Sequence, residues 1–114
     1  MTTSGDVTDL QELADQLLQA PGDRAARTLP HPVDGLRQTV LALKAGAALH
    51  EHESPGSASL LVLRGRARLV AGDDTVTLAA NQVAPIPDRR HSLEADEDTV
   101  VLLSVAVDRT PVAD

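Results

Sequence analysis

The chain has 114 residues, of which 42% are hydrophobic, so it is long enough for one domain with its own core. A formal net charge of −7 argues against phosphate-backbone binding, which requires clustered lysines and arginines, and nucleic acid is not an expected partner. The absence of cysteine, phenylalanine, tyrosine and tryptophan excludes disulfides, thiolate ligands and aromatic stacking on a ligand.

The sequence offers little surface for a membrane or a polyanion. No apolar stretch approaches the roughly 20 residues of a membrane-spanning helix, and residues 1–10 lack a basic start followed by an apolar block. Arg64, Arg66 and Arg68 form the one basic stripe, which predicts a solvated strand face or, alternatively, an anion or partner contact. We expect a cytoplasmic protein without a membrane partner.

One amphipathic helix is predicted near the start of the chain, over residues 8–20. Four leucines recur there at helical spacing, namely Leu10, Leu13, Leu17 and Leu18. Thr8 and Gln11 have the spacing of a capping box, and Pro21 stops the helix. Residues 23–35 contain two prolines and several charges without a clear period, so they are predicted to be a connection.

From residue 36 onward the sequence is typical of an all-β fold. Short apolar or alternating runs are separated by turn residues every roughly eight to twelve positions, as in a sandwich or barrel. The predicted strands cover residues 36–43, 58–63, 66–70, 75–78, 82–86, 91–95 and 99–107. Because no helix lies between them, neighbouring strands are expected to pair antiparallel.

The last of these runs is apolar on both faces apart from Ser104. Such a strand lies centrally, covered on both sides, or lies in a subunit interface. Together with the leucine face of the predicted helix, it presents more apolar surface than one small interior readily covers. We therefore expect a homodimer, since two-fold pairing is the commonest assembly of soluble proteins.

Three of the four histidines are spaced for a shared metal ion. His50 and His52 follow an apolar run, and residues i and i+2 of a strand project from one face, so the two imidazoles can converge on one point. A distant strand can bring His91 to the same point. Glu51 and Glu53 alternate away from this face and are predicted to be surface residues, unless the chain curls at residues 54–56 and turns Glu53 toward the histidines.

These histidines and the glycines around them give the chain a resemblance to the cupin family of small jelly rolls, whose two motifs lie on separate strands. The first motif is matched by Gly46, His50, His52 and Gly65. The second motif is matched by Asn81, Pro87 and His91. Asn81 replaces a turn glycine, which asparagine can do because it tolerates positive φ. The family's glutamate is absent, since its place falls at Ala58 or Ser57.

The resemblance implies a fold class, namely an all-β cupin barrel (a double-stranded β-helix, or jelly roll) with an N-terminal amphipathic helix. The helix and its connecting segment would occupy residues 1–35, the barrel residues 36–108 and a C-terminal tail residues 109–114. The family resemblance also favours the homodimer.

A further implication of the resemblance is a divalent metal ion held inside the barrel by His50, His52 and His91. Imidazole suits iron, manganese, zinc and nickel alike, so ligand type does not select among them. Three histidines without a carboxylate leave coordination positions open, as a catalytic site needs. The absent glutamate has a second interpretation, namely a site that has weakened or lost its metal.

Two functions are compatible with these residues. The first is a small metal-binding cupin, in its enzymatic form a dioxygenase-type enzyme acting on a small molecule, for which no catalytic residue beyond the ligands can be named. The second is a non-enzymatic binding or sensor module. Gln38, in an otherwise apolar strand, either lines the pocket or lies in solvent at the edge of the sheet.

Overall fold

The computed structural model describes residues 7–30, 35–52 and 56–107, except for the side chains of Glu51 and His52. Within these ranges the chain forms one helix and nine strands. In chain order they are α1 (Leu10–Gln19), β1 (Arg24–Thr28), β2 (Leu36–Leu43), β3 (Ala48–His52), β4 (Ala58–Arg64), β5 (Arg66–Ala71), β6 (Asp74–Ala79), β7 (Val83–Pro85), β8 (His91–Ala95) and β9 (Thr99–Ala106).

The strands form two sheets that face each other. The first sheet has the order β1-β2-β9-β4-β7, and the second has the order β3-β8-β5-β6. Neighbouring strands are antiparallel in both sheets, which confirms the all-β prediction. Aliphatic side chains from both sheets fill the space between them, and the buried members are Leu43, Ala47, Leu60, Val62, Ala67, Leu69, Leu78, Ile86, Leu93, Ala95 and Val101.

The helix α1 covers the outer face of the first sheet, where it packs against β1, β2 and β4. Leu13, Ala14 and Leu17 bury their side chains there against a second apolar cluster that includes Val40 and Val100. The prediction of one amphipathic helix is thus confirmed, but its cap is not Thr8. Asp9 caps α1, and its carboxylate accepts hydrogen bonds from two backbone amides of the first turn.

Strand β9 lies in the middle of the first sheet, between β2 and β4. Its inner face carries Val101 in the core between the sheets, and its outer face carries Val100 and Leu102 in the cluster beneath α1. The prediction of a strand covered on both sides is therefore met within one chain. The homodimer, which was expected from this same apolar surface, stays a prediction.

Residues 23–35 are more than the predicted connection, because β1 lies within them. Every residue of β1 pairs antiparallel with β2, from Arg24 opposite Leu43 to Thr28 opposite Thr39. Four of its five residues are exposed, so its sequence lacks the apolar alternation that marks a strand. Within the described ranges, no helix is long and apolar enough to span a membrane.

The two ends of the sandwich differ. At one end the connections are short, and Thr99 links two of them because its single hydroxyl proton lies between two acceptors, the carbonyl oxygens of Arg66 at 3.0 Å and Glu97 at 2.8 Å. At the other end, which we call the mouth, lie the β5–β6 turn, residues 56–57 before β4 and the segment that precedes β8. Arg89 joins this turn to the β7–β8 segment through an ion pair with Asp74.

Gly65, in the turn between β4 and β5, has no room for a side chain. Its φ is +85°, and a Cβ built there would lie 2.4 Å from the carbonyl oxygen of Asp98. We expect Gly65→Ala to lower the free energy of unfolding by about 2–5 kcal/mol, through positive-φ strain and forced displacement of the backbone. Urea unfolding followed by circular dichroism measures this loss.

Gly46→Ala is the matched control for this substitution. Gly46 has a φ of +86°, but nothing lies within 4 Å of its built Cβ. Its replacement should therefore cost only the positive-φ strain, about 1–2 kcal/mol. Equal losses for the two variants would contradict the steric argument.

Arg64 fastens α1 to the end of β4. Its guanidinium donates to the side-chain and carbonyl oxygens of Gln11 and to the carboxylate of Asp15, at 2.7–3.0 Å. We expect Arg64→Ala to lower the free energy of unfolding by about 1–2 kcal/mol, the range of charge-assisted hydrogen bonds at a partly exposed site. Arg66→Ala should change it by less than about 0.5 kcal/mol. A loss with Arg66→Ala as large as with Arg64→Ala would contradict this role.

Candidate functional site

His91 begins β8 at the mouth, and it is the one histidine with a buried side chain among the described residues, at 2% exposure. It shares the inner face of β8 with Leu93 and Ala95, which lie in the core between the sheets. Its Nδ1 lies 2.8 Å from the carbonyl oxygen of Arg89. A carbonyl oxygen only accepts, so Nδ1 is the donor, and in the neutral ring Nε2 carries the lone pair that a metal needs.

His52 lies directly beside His91, because the two residues are Cα partners across β3 and β8. Cα atoms of opposite residues in an antiparallel pair are roughly 4.5–5.5 Å apart. The pairing thus brings together two of the three predicted ligands at the level of the backbone. The side chain of His52 lies outside the described part of the structure.

A β-bulge separates His52 from His50. Leu49 pairs with Leu93 and His52 pairs with His91, so two residues of β3 stand opposite Ser92. Leu49 packs against the core between the sheets, whereas His50 is exposed. The regular alternation that placed His50 and His52 on one face is therefore interrupted between them.

The fit of this histidine set to a metal ion is partial. His91 has the buried ring and the backbone carbonyl partner that usually orient a metal-ligating histidine. Among the described side chains, no group of three histidines, cysteines, aspartates or glutamates is close enough to hold an ion. The His52 side chain is not one of those described. The structure thus brings His52 and His91 to neighbouring positions and leaves His50 at the surface.

The position expected for the family's glutamate is occupied by an apolar contact. Ala58 begins β4 and packs against the core between the sheets, while Ser57 is exposed. Neither residue can supply a carboxylate. Asn81 does take the place of a motif glycine, since its φ is +71°, and this confirms the prediction for that turn.

Gln38 lies on the side of the first sheet that faces α1. It shares this face of β2 with Val40 and Ala42, which are buried beneath the helix. Its Nε2 donates to the hydroxyl of Ser104 on β9, at 3.1 Å. This position is outside the space between the sheets, in which a pocket-lining residue would lie.

The arginines of the predicted basic stripe do not share a partner. Arg64 holds α1, whereas Arg68 contacts Glu94 on β8 at 3.1 Å and Asp96, which follows β8, at 2.8 Å. The hydrogen bond to Asp96 and the charges of Asp96 and Glu94 hold the pKa of Arg68 above its ordinary value. Arg66 alone of the three makes no side-chain hydrogen bond or ion pair with a described residue. The stripe is therefore not one continuous anion-binding surface.

The link between Arg89 and Asp74 was not predicted. This ion pair connects the β5–β6 turn with the segment before β8, whose Arg89 carbonyl orients His91. Asp74 and Arg89 are not neighbours in the sequence. Asp88, Arg89 and Arg90 are three consecutive charged residues before β8, and their sequence does not indicate which of them forms an ion pair. The ion pair between Arg89 and Asp74 depends on which turns the tertiary fold brings together at the mouth.

Solved structures of similar fold cover most of the chain. A conserved protein of unknown function from Streptococcus pyogenes is 28% identical, with a TM-score of 0.74, over 96% of this chain and 93% of its own. A cupin superfamily protein from Desulfitobacterium hafniense is 20% identical, with a TM-score of 0.73, over 84% and 88%. A protein with a cupin-2 domain from Shewanella frigidimarina is 14% identical, with a TM-score of 0.73, over 89% and 95%.

Sequence comparisons add no assignment, because no family model and no curated protein matches the chain. The structural likeness covers both sheets and extends well beyond the motif residues. It agrees with the jelly-roll topology and with the positive φ of Gly46, Gly65 and Asn81 at the motif positions. The chain therefore has the fold of the cupin superfamily.

Proposed function

We propose that this protein is a small-molecule-binding cupin that holds a divalent metal ion at the mouth of its barrel, through His52 and His91, with His50 as a third ligand from the bulge. The observation that carries the proposal is the buried ring of His91, oriented by the carbonyl of Arg89 and placed beside His52 in the strand register. A buried histidine with a fixed ring is a common element of metal sites.

The chain's own residues would orient and shield such an ion. The carbonyl oxygen of Arg89 accepts a hydrogen bond from Nδ1 of His91 and so leaves Nε2 to bind the ion. The apolar residues on the inner side of the His91 ring, among them Leu93, keep water away from it. When bound, the ion would supply Lewis-acid polarisation of an oxygen-containing small molecule and open coordination positions, the chemistry of a dioxygenase-type enzyme. Iron, manganese, zinc and nickel all suit imidazole.

A non-enzymatic binding or sensor module is the second candidate, and two observations favour it. Ala58 fills the place of the family's glutamate with a methyl group, and His50 is exposed. A barrel with these features can bind a small molecule without a catalytic ion. The two candidates differ in one measurable property, which is metal bound per chain.

Histidine substitutions test the metal site. We expect wild-type protein to bind about one zinc(II) or nickel(II) ion per chain in isothermal titration calorimetry. His91→Ala and His52→Ala should each weaken binding by at least about 100-fold, and His50→Ala less, because loss of an inner ligand exceeds the 10–100-fold effect of an outer one. His31→Ala, which changes the fourth histidine, should have no effect. Circular dichroism checks that each variant is folded.

Other results would reject the metal site. Wild-type protein that binds neither ion would favour the binding or sensor module. Equal loss of affinity in the His31→Ala variant would show that the ions bind to surface histidines without a defined site. Elemental analysis of the protein as purified from cells identifies the metal that it carries.

A further inference from the structure

Arg37 lies on the inner face of β2, at the end nearest the mouth. It alternates with Thr39, Leu41 and Leu43, of which Leu43 is buried in the core between the sheets and Leu41 packs against it. Its Cα partner on β9 is Val105, which continues the inner face of that strand. Arg37 is therefore a cation at the rim of the space between the sheets.

The guanidinium of Arg37 makes no hydrogen bond or ion pair with any residue in the described ranges. Arg64 and Arg89 are paired with Asp15 and Asp74, whereas Arg27 and Arg66, like Arg37, form no ion pair within the described ranges. The chain has seven more acidic than basic residues, so a shortage of carboxylates does not explain why Arg37 has no partner there. Among the described residues, the guanidinium of Arg37 is thus a binding group at the mouth whose hydrogen-bond donors are not used.

The surface beside Arg37 is aliphatic. Val105 pairs with Arg37 on one side and with Ala58 on the other, so the three residues form one row across the first sheet. Neighbouring strands are roughly 4.8 Å apart, which places Ala58 about 10 Å from Arg37. Leu103 lies one step deeper on the same face.

A cavity of about 430 Å³ adjoins the far end of this row, within the size range of small-molecule sites. Its lining residues are Gly56, Ser57, Ala58, Pro85, Ile86 and Asp88. Most of this lining is apolar or small, and Asp88 contributes one negative charge. The row and the cavity together have the guanidinium of Arg37 at one end, aliphatic side chains between, and the carboxylate of Asp88 at the other end.

We propose that Arg37 binds the carboxylate of a small aliphatic monocarboxylic acid, whose hydrocarbon part lies over Val105 and Ala58 and extends toward the cavity. The planar fork of a guanidinium matches a carboxylate with two hydrogen bonds. Asp88 opposes a second negative charge, which selects a monoanion. This inference rests on the proposed function, because it names the class of small molecule that the same mouth would bind.

Ligand titrations of the full chain, followed by nuclear magnetic resonance, test this assignment with two probes. Sodium butanoate carries the carboxylate, and butanamide is its neutral analogue of nearly equal shape. We expect saturable shifts of the Val105 and Leu103 methyl groups with butanoate and none with butanamide. Arg37→Gln should weaken butanoate binding by at least about tenfold, because it removes the charged fork but keeps a polar side chain.

Arg27→Gln is the matched control. Arg27 is exposed on the neighbouring strand β1 and also makes no ion pair within the described residues, but it pairs with Val40 on the outer face. Its variant should bind butanoate within about twofold of wild type. No saturable butanoate binding, equal binding of butanamide, or equal effects of the two substitutions would overturn the assignment.

The same titrations, repeated with chelator-treated and zinc-loaded protein, separate this inference from the proposed metal site. Butanoate binding that depends on Arg37 without any bound zinc supports the carboxylate site even where the metal proposal fails. Zinc binding that depends on His91, with butanoate binding unchanged by Arg37→Gln, would overturn the carboxylate site alone.

Discussion

Strand β9 is covered on both faces, and both hydrophobic cores depend on its register. Val101 faces the second sheet, whereas Val100 and Leu102 face α1. Because one backbone carries both sets of side chains, a slip of one residue against β2 and β4 would exchange them and turn Ser104 inward. The pairing of this strand therefore determines both the apolar surface on which α1 packs and the shape of the interior.

Among the described residues, the buried interior is aliphatic apart from His91 and Thr99, and this limits how it can recognise a ligand. Aliphatic side chains give contact area without direction, so discrimination must come from the few polar groups at the mouth. His91 and Arg37 are two such groups, and they lie on opposite sheets. A ligand between them would touch both sheets. At the other end, the hydroxyl of Thr99 links the short connections.

Much of the fold could be predicted from the sequence, because the periodicity of apolar residues reports burial directly. Strands β2 and β8 begin and end at the predicted residues, and the turn at Asn81 follows from its tolerance of positive φ. The site was less predictable. The bulge beside His50 arises from the pairing of β3 with β8, and alternation within β3 alone carries no signal of that register. Strand β1 was missed because an edge strand with exposed faces needs no apolar pattern.

Strand β1 lies at an edge of the first sheet, where β2 is its one neighbour among the described strands. An unpaired edge can accept a strand from another molecule, and repeated addition of this kind leads to insoluble aggregates. Arg24 and Arg27 place two positive charges on this five-residue strand. A second copy that approached edge to edge would bring like charges together, so the same arginines that leave β1 without an apolar pattern also oppose strand addition at this edge.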